Sequence, residues 1–307
     1  MAESSIVLRN GSLSVGIEPA AGGSLTRMNL VVGSSRFDIL RPPVRAAPSP
    51  IGPSLNLSCF PLVPYAGRLR NGQFEFDGRR IIYPLNALPE QHSSHGDGFT
   101  RSWRLAKLES DAAVLRIQPD PSAPIRYDCT QTIAVSGERV DIKLVARNLE
   151  SRPIPFESGF HPYFAARSQA RIRANLPFQT HWDAHLMPLS TGPNALRQQF
   201  AQGIAATSLP VAAEFGGWDG NAVLQWPCAG VTVELQTRPA LEHVVVWAPQ
   251  DEDFFCFEPV SHTTDSFNRW REDPTIRPPR QLLPDESYEQ TCSFIVRQGI
   301  AKCNVTI

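Results

Sequence analysis

The stretch Val140–Asn148, "VDIKLVARN", alternates Val140, Ile142 and Leu144 with charged or small neighbours. Successive side chains of a β-strand leave on opposite faces, so a period of two predicts a strand with one buried and one wet side. The pattern recurs along the chain. "SLSVGIEP" sets Leu13, Val15 and Ile17 against small or polar residues, and "VTVELQT" does the same with Val231, Val233 and Leu235. "HVVVWAP" and "CSFIVRQ" read as shorter apolar strands. Asn71-Gly72, Asp77-Gly78 and Ser136-Gly137 are turn signals between strands, and "NGQFEFDG" puts Phe74 and Phe76 on one face of a short strand between two turns. The 28 prolines are spread over 307 residues, which opposes long helices, and no window sustains a 3.6-residue period. The reading is all-β, with two sheets packed face to face.

The length allows one large domain, and strand patterning of one style continues to the end. A single domain over 1–307 is therefore expected, with the Pro/Ala/Ser-rich segment Arg41–Ser54 as a long surface loop. The net charge is -1 and no Lys/Arg-rich run occurs, so nucleic acid is not expected as a partner. No basic segment leads into an apolar one at the start and no run is long enough to cross a bilayer, so a soluble cytoplasmic protein without membrane contact is expected. The six cysteines lie far apart with no CxxC pair, which predicts free thiols rather than a zinc or redox motif. Asn10, Asn56 and Asn304 begin N-x-S/T matches that carry little weight without a secretory signal.

Five polar islands interrupt the strand pattern. "PLVPYAGRLRNGQF" contains Arg68 and Arg70. "HSSHGDGFTRSW" contains His92, His95, Asp97 and Arg101. "ESGFHPYF" holds His161 between a glycine-led strand and a proline. "FGGWDGNA" contains Asp219, and "FFCFEPVSHTTDSFN" contains Glu258. Each has a plain structural reading: a surface arginine, a turn-capping histidine, a satisfied core histidine. Glu258 is harder to set aside, because a carboxylate closing an apolar strand costs several kcal/mol if buried without a partner. Together the islands provide arginine, histidine and carboxylate beside aromatic rings, the set that grips a sugar ring and its hydroxyls. Other chemistries fit less well. "HWDAH" spaces His181 and His185 by four without the HExxH form, so no metal is expected. There is no GxSxG elbow, no cysteine-nucleophile signature and no phosphate-binding glycine loop.

In this order the islands resemble the aldose 1-epimerase (galactose mutarotase) superfamily, over nearly the whole chain. "LSVGIEPAAGGSLTRM" is similar to the family's opening strand and Gly-Gly turn. "PYAGRLRNGQFEFDGRRIIYPLN" resembles its N-R-I-x-x-G-x-F block, with Arg68 as the arginine. "HSSHGDGFTRSW" and "GFHPYF" resemble its two histidine motifs, at His95 and His161. "GGWDG" resembles the block carrying a substrate-binding aspartate, here Asp219. "FEPVSHTTDSFN" resembles the block carrying the family's glutamate, here Glu258, and "LLPDESYEQTCSFIV" resembles the closing strand. The chain departs from the pattern at Gly67, where an asparagine is usual, and at Pro284-Asp285, where Pro-Gly is usual. The first alters the polar wall beside Arg68; the second is turn chemistry.

The resemblance implies a galactose-mutarotase-like β-supersandwich of twisted, mainly antiparallel sheets, with a sugar cleft and with neither metal nor cofactor. It implies interconversion of the α and β anomers of a free hexose through the open-chain aldehyde. Glu258 is the expected base and His161 the expected acid, protonated at rest. Arg68 and His95 are expected to hold hydroxyls, Asp219 to accept from one at C2 or C3, and Trp247 to stack on the ring. Two alternatives stay open at this point. If Arg70 and Arg101 face the cleft, a hexose 6-phosphate fits. A non-catalytic sugar-binding protein on the same fold also fits, though it would have no use for an acid–base pair. A monomer and a homodimer are both compatible with the edge strands.

Overall fold

The computed structural model describes residues 5–32, 34–44, 52–86, 89 and 91–301. Most of the segment expected to be a surface loop after Arg41 (residues 45–51), and Cys303 and Asn304, lie outside them.

The strand that opens the sequence reading forms as predicted. Arg139–Asn148 pairs antiparallel with Tyr127–Ser136 on one side and Ser287–Gln298 on the other, burying Val140, Ile142, Leu144 and Ala146 while Asp141, Lys143 and Arg147 face outward. These strands belong to a nine-stranded sheet, which continues through Val231–Arg238 and Asn221–Trp226 to Arg171–Ala174 and its edge. A twelve-stranded sheet covers its apolar face. In hydrogen-bonded order it runs Ile6–Asn10, Leu13–Glu18, Ser24–Val32, Ser35–Leu40, Tyr163–Ala165, Phe254–Val260, His243–Trp247, Ala212–Gly216, Phe178–Trp182 and Pro188–Pro193, with Pro61–Leu62 and Gly159–Phe160 attached beside Phe254–Val260. The pairings are antiparallel throughout these sheets, and the longest α-helix, Arg197–Gln202, has 6 residues among those described.

Aromatic side chains join the two layers. Phe164 of the larger sheet lies 5.4 Å from Phe255 and 6.2 Å from Phe294 of the smaller one. Phe37 meets Trp226 edge-on at 5.6 Å, and the Trp226 indole N–H donates to the Ala165 carbonyl at 3.0 Å. A buried tryptophan is tolerated because that donor is satisfied.

Phe254–Val260 positions the site. Every residue of it is buried, unlike the alternating strands. Phe255 and Phe257 enter the inter-sheet core, whereas Phe254 and Cys256 join a second apolar cluster with Phe60, Phe99 and Tyr163 on the opposite face. Glu258 has the same parity as Phe254 and Cys256, so the strand delivers it to that second face, away from the core.

The expectation of free thiols holds for Cys59, Cys129, Cys256 and Cys292, all buried, and fails at Cys228, which is disulfide-bonded. Asp285, in place of the usual glycine, takes the left-handed conformation at φ 64°, as its turn requires.

Candidate active site

A cleft of about 760 Å³ opens on the second face of the larger sheet, lined by residues that include Arg68, His95, His161, Trp247 and Glu258. Five of the six residues expected at the site from the sequence are thus brought together, from segments far apart in the chain.

"GFHPYF" owes its form to close packing. Gly159 lies against the strand that carries Glu258, and a Cβ there would stand 2.8 Å from both the Pro259 carbonyl oxygen and Val260 Cγ1. Only glycine permits this approach. The His161 N–H donates to the Phe60 carbonyl at 3.0 Å and the Tyr163 N–H to Ser58 at 2.9 Å, which fixes the histidine backbone. Its ring is held between Phe60 and Tyr163, each 4.6 Å away centre to centre. His161 Nε2 stands 3.3 Å from Glu258 Oε1, with both side chains buried. Glu258 Oε2 and His161 Nδ1 are buried and make no hydrogen bond. Buried polar atoms are rarely left so, and these two lie together at the cleft floor.

His95 sits at φ 63° in the turn after His92–Ser94. Its backbone N–H donates to the Gly67 carbonyl at 2.9 Å, and its Nδ1 accepts the Gly67 N–H at 3.2 Å. An accepting Nδ1 means that a neutral His95 carries its proton on Nε2. Burial, then the Arg68 charge and His262, push the imidazole down to about 3, so His95 is neutral and presents a fixed N–H donor. Its ring is 5.4 Å from that of His161.

Burial raises Glu258 well above the usual carboxylate range. It also lowers His161 well below that of an imidazole, with His95 and Arg41 adding to the effect. The pair therefore rests neutral, its shared proton on Glu258. This runs against the expectation of a resting imidazolium, because burial disfavours the charged form of each group.

Asp219 is not in the cleft. It is exposed in the turn before Asn221–Trp226, where Oδ1 accepts the Asn221 N–H at 3.0 Å, a local Asx turn. Arg70 and Arg101 are also elsewhere. Arg70 pairs with the buried Asp265 at 3.2 Å, and Arg101 pairs with Asp97 at 3.2 Å beside the Tyr127 ring. Trp247 is 38% exposed at the cleft wall, its ring edge-on to Phe254 at 5.5 Å, so it is no core tryptophan.

The sequence reading missed four residues. Arg41 lies under the cleft, obscured by the proline-rich segment that it begins. Trp182 lines the wall from "HWDAH", a stretch weighed only for its histidines. Thr264 fills the space opened by the departure at Gly67: a Cβ on Gly67 would fall 2.7 Å from Thr264 Oγ1. Its hydroxyl reaches that space from the turn after Phe254–Val260, where the Thr264 N–H donates to buried Glu214 at 2.9 Å. His262 braces the segment that carries Gly67 and Arg68, its Nε2 accepting the Ala66 N–H at 2.9 Å.

Among the described residues His95, His161 and Glu258 could gather round a cation, with ligand atoms within 4.8 Å of one another. The fit is poor. The Gly67 bond keeps a proton on His95 Nε2, and burial keeps one on Glu258, so only His161 offers a lone pair without first losing a proton.

The sequence matches the family described as Aldose 1-epimerase over residues 5–294, and the chain belongs to that family. It is 26% identical over 240 residues to the uncharacterized protein YphB of Escherichia coli strain K12, covering 71% of this chain and 78% of that one. Among solved structures it resembles a candidate aldose 1-epimerase from Escherichia coli K12, with TM-score 0.84, 25% identity and coverage of 96% and 99% of the two chains. It shares its fold with a galactose mutarotase-like protein from Clostridium acetobutylicum, with TM-score 0.82, 17% identity and coverage of 96% and 95%. The galactose-mutarotase-like β-sandwich implied by the sequence is therefore the observed fold.

Proposed function

We propose that the protein is an aldose 1-epimerase that interconverts the α and β anomers of a free sugar by acid–base ring opening and closure. The observation that carries this reading is the buried Glu258–His161 pair, 3.3 Å apart at the cleft floor with one oxygen and one nitrogen unbonded. A protein that only bound sugar would have no reason to bury such a pair at the cost of its ionisation.

Ring opening must remove the proton from the C1 hydroxyl and supply one to the ring oxygen. The resting pair holds one proton, and its charged form is a single transfer away across 3.3 Å. Hydrogen bonds from sugar hydroxyls favour the carboxylate, so binding moves the proton from Glu258 to His161. Glu258 then takes the O1 proton as His161 Nε2 gives its own to O5 and the C1–O5 bond breaks. Rotation about C1–C2 turns the aldehyde over. The same groups return their protons as the ring closes, leaving the pair as it began. The His95 N–H and Arg68 stabilise negative charge on the sugar oxygens, while Trp247 and Trp182 give the ring apolar faces.

Polarimetry or NMR of the anomeric protons tests the reading with freshly dissolved sugars. Wild type should speed equilibration, and Glu258→Gln should remove the acceleration while leaving the fold intact. No acceleration of any aldose by wild type would sink it.

A further inference from the structure

Arg41 has no part in the acid–base chemistry, yet it is built into the same cleft. The residue is buried, 9% exposed. The guanidinium carbon lies over the Tyr163 ring, 3.6 Å from its centroid, and 4.4 Å from that of Phe254. Nη2 donates to the carbonyls of Leu55 and, at 3.4 Å, Leu57. Nε is buried without an acceptor, and among the described residues no carboxylate pairs with the group. Glu252, whose charge acts on Arg41, and Asp251 stand exposed at the rim, where water screens them. The buried cation therefore has only an exposed, screened counter-charge beside the cleft.

Its distance from the acid–base pair is informative. Arg41 stacks on Tyr163, and Tyr163 is the register partner of Cys256, two residues before Glu258 on the cleft-facing side of the strand. His161, the group that faces the ring oxygen, packs on the same Tyr163 ring, 4.6 Å centre to centre, and the exocyclic carbon of a pyranose is attached beside that oxygen.

We propose that Arg41 binds an anionic group on the exocyclic carbon of the sugar, so that the substrates are sugar acids or sugar phosphates in preference to neutral hexoses. This rests on the epimerase reading of the cleft. It differs from a phosphate grip by Arg70 and Arg101, both of which are engaged elsewhere. With Nη2 committed to Leu55 and Leu57 and Nε buried, Nη1 is the donor left for an oxygen of a carboxylate or phosphate. The arrangement also links binding to chemistry. Arg41 is one of the charges that keep His161 unprotonated, and an anion beside it would cancel that field as substrate arrives.

The test compares anomer exchange of glucose, galactose, glucuronate, galacturonate and glucose 6-phosphate by NMR, with wild type, Arg41→Met and Arg41→Lys. Wild type should favour one or more anionic sugars over its neutral counterpart by about ten- to a hundredfold in kcat/KM, the worth of one charge-assisted pair. Arg41→Met should collapse that ratio and Arg41→Lys should restore part of it. A uronate preference with no response to the phosphate would identify a sugar acid, and the reverse a sugar phosphate. If Arg41→Met does not fold, wild type alone still decides: KM for the anionic sugar should rise with salt while that for the neutral sugar stays level. Equal use of neutral and anionic sugars, or equal losses for both in Arg41→Met, overturns the proposal and makes Arg41 a brace for Tyr163. Calorimetric binding of glucuronate or glucose 6-phosphate without any exchange would keep the anion site and reject the epimerase reading. Neither binding nor exchange would reject both.

Discussion

At Glu258 burial acts against ionisation while the proposed reaction requires it. The carboxyl is 2% exposed, and desolvation lifts its pKa far above that of the unfolded chain. The linkage has a definite sign. A carboxyl raised on folding binds more protons in the native state, so its cost is absent below the unfolded value near 4.3 and grows as pH rises toward the folded value. Glu258→Gln should therefore be inactive, with kcat down by on the order of 10³ or more, yet more stable than wild type by about 1 kcal/mol. Melting at pH 4 and pH 8 checks this, and the gain should be larger at pH 8. Thr264 gives a smaller prediction. Its hydroxyl occupies the space where a side chain on Gly67 would begin. Thr264→Val should lower kcat/KM by about tenfold or less through one lost hydrogen bond to sugar, while Thr264→Ser keeps most activity.

At the scale of elements, the sequence marked the strands well and the loops poorly, for a physical reason. Alternation at Val140, Ile142 and Leu144 is a local consequence of one wet and one dry face, so it can be read from neighbours in the chain. The uninterrupted "FFCFEPV" run told of burial on both sides, though not that the second side is a cleft floor. Arg41 could not be read at all, because its meaning comes from Tyr163 and Phe254, more than a hundred residues away. Asp219 misled because a motif match does not fix direction: in its turn the carboxylate reaches back to Asn221 rather than across to the cleft. Asp219→Ala should accordingly leave KM unchanged and cost about 1 kcal/mol or less of stability, the value of one exposed turn bond. Steady-state kinetics and a thermal melt distinguish this from a binding role, in which KM would rise with stability unaltered.

For the whole molecule, the consequence of a cleft floored by the outer face of a packed sheet is a wide pH range for the pair that shares a proton. The twelve-stranded sheet carries Glu258 on its outward face, with His161 beside it in the link between two of its strands, so both members of the pair are withdrawn from water, and half-buried His95 lies alongside. Burial drives the two members of the pair in opposite directions, Glu258 up and His161 down. The competent state holds a single proton between them. It is lost on the acid side only when a second proton arrives, which the lowered His161 postpones to low pH. On the alkaline side it is lost when the shared proton leaves, which the raised Glu258 postpones to high pH. The kcat/KM profile for a neutral sugar should then be a plateau that extends beyond the ordinary limits near 4.3 and 6.5 on both sides, not a narrow bell between them. An opened cleft should narrow it. Replacing the ring that covers His161, as in Phe60→Ala, admits water beside the pair and should bring both limbs inward, apart from any loss of stability from the cavity of about 3–5 kcal/mol. Measuring the profile of wild type and Phe60→Ala below the melting temperature of each separates the two effects. A wild-type bell with limbs near the unperturbed values would mean that water reaches the pair and that the dry floor is not what sets its chemistry.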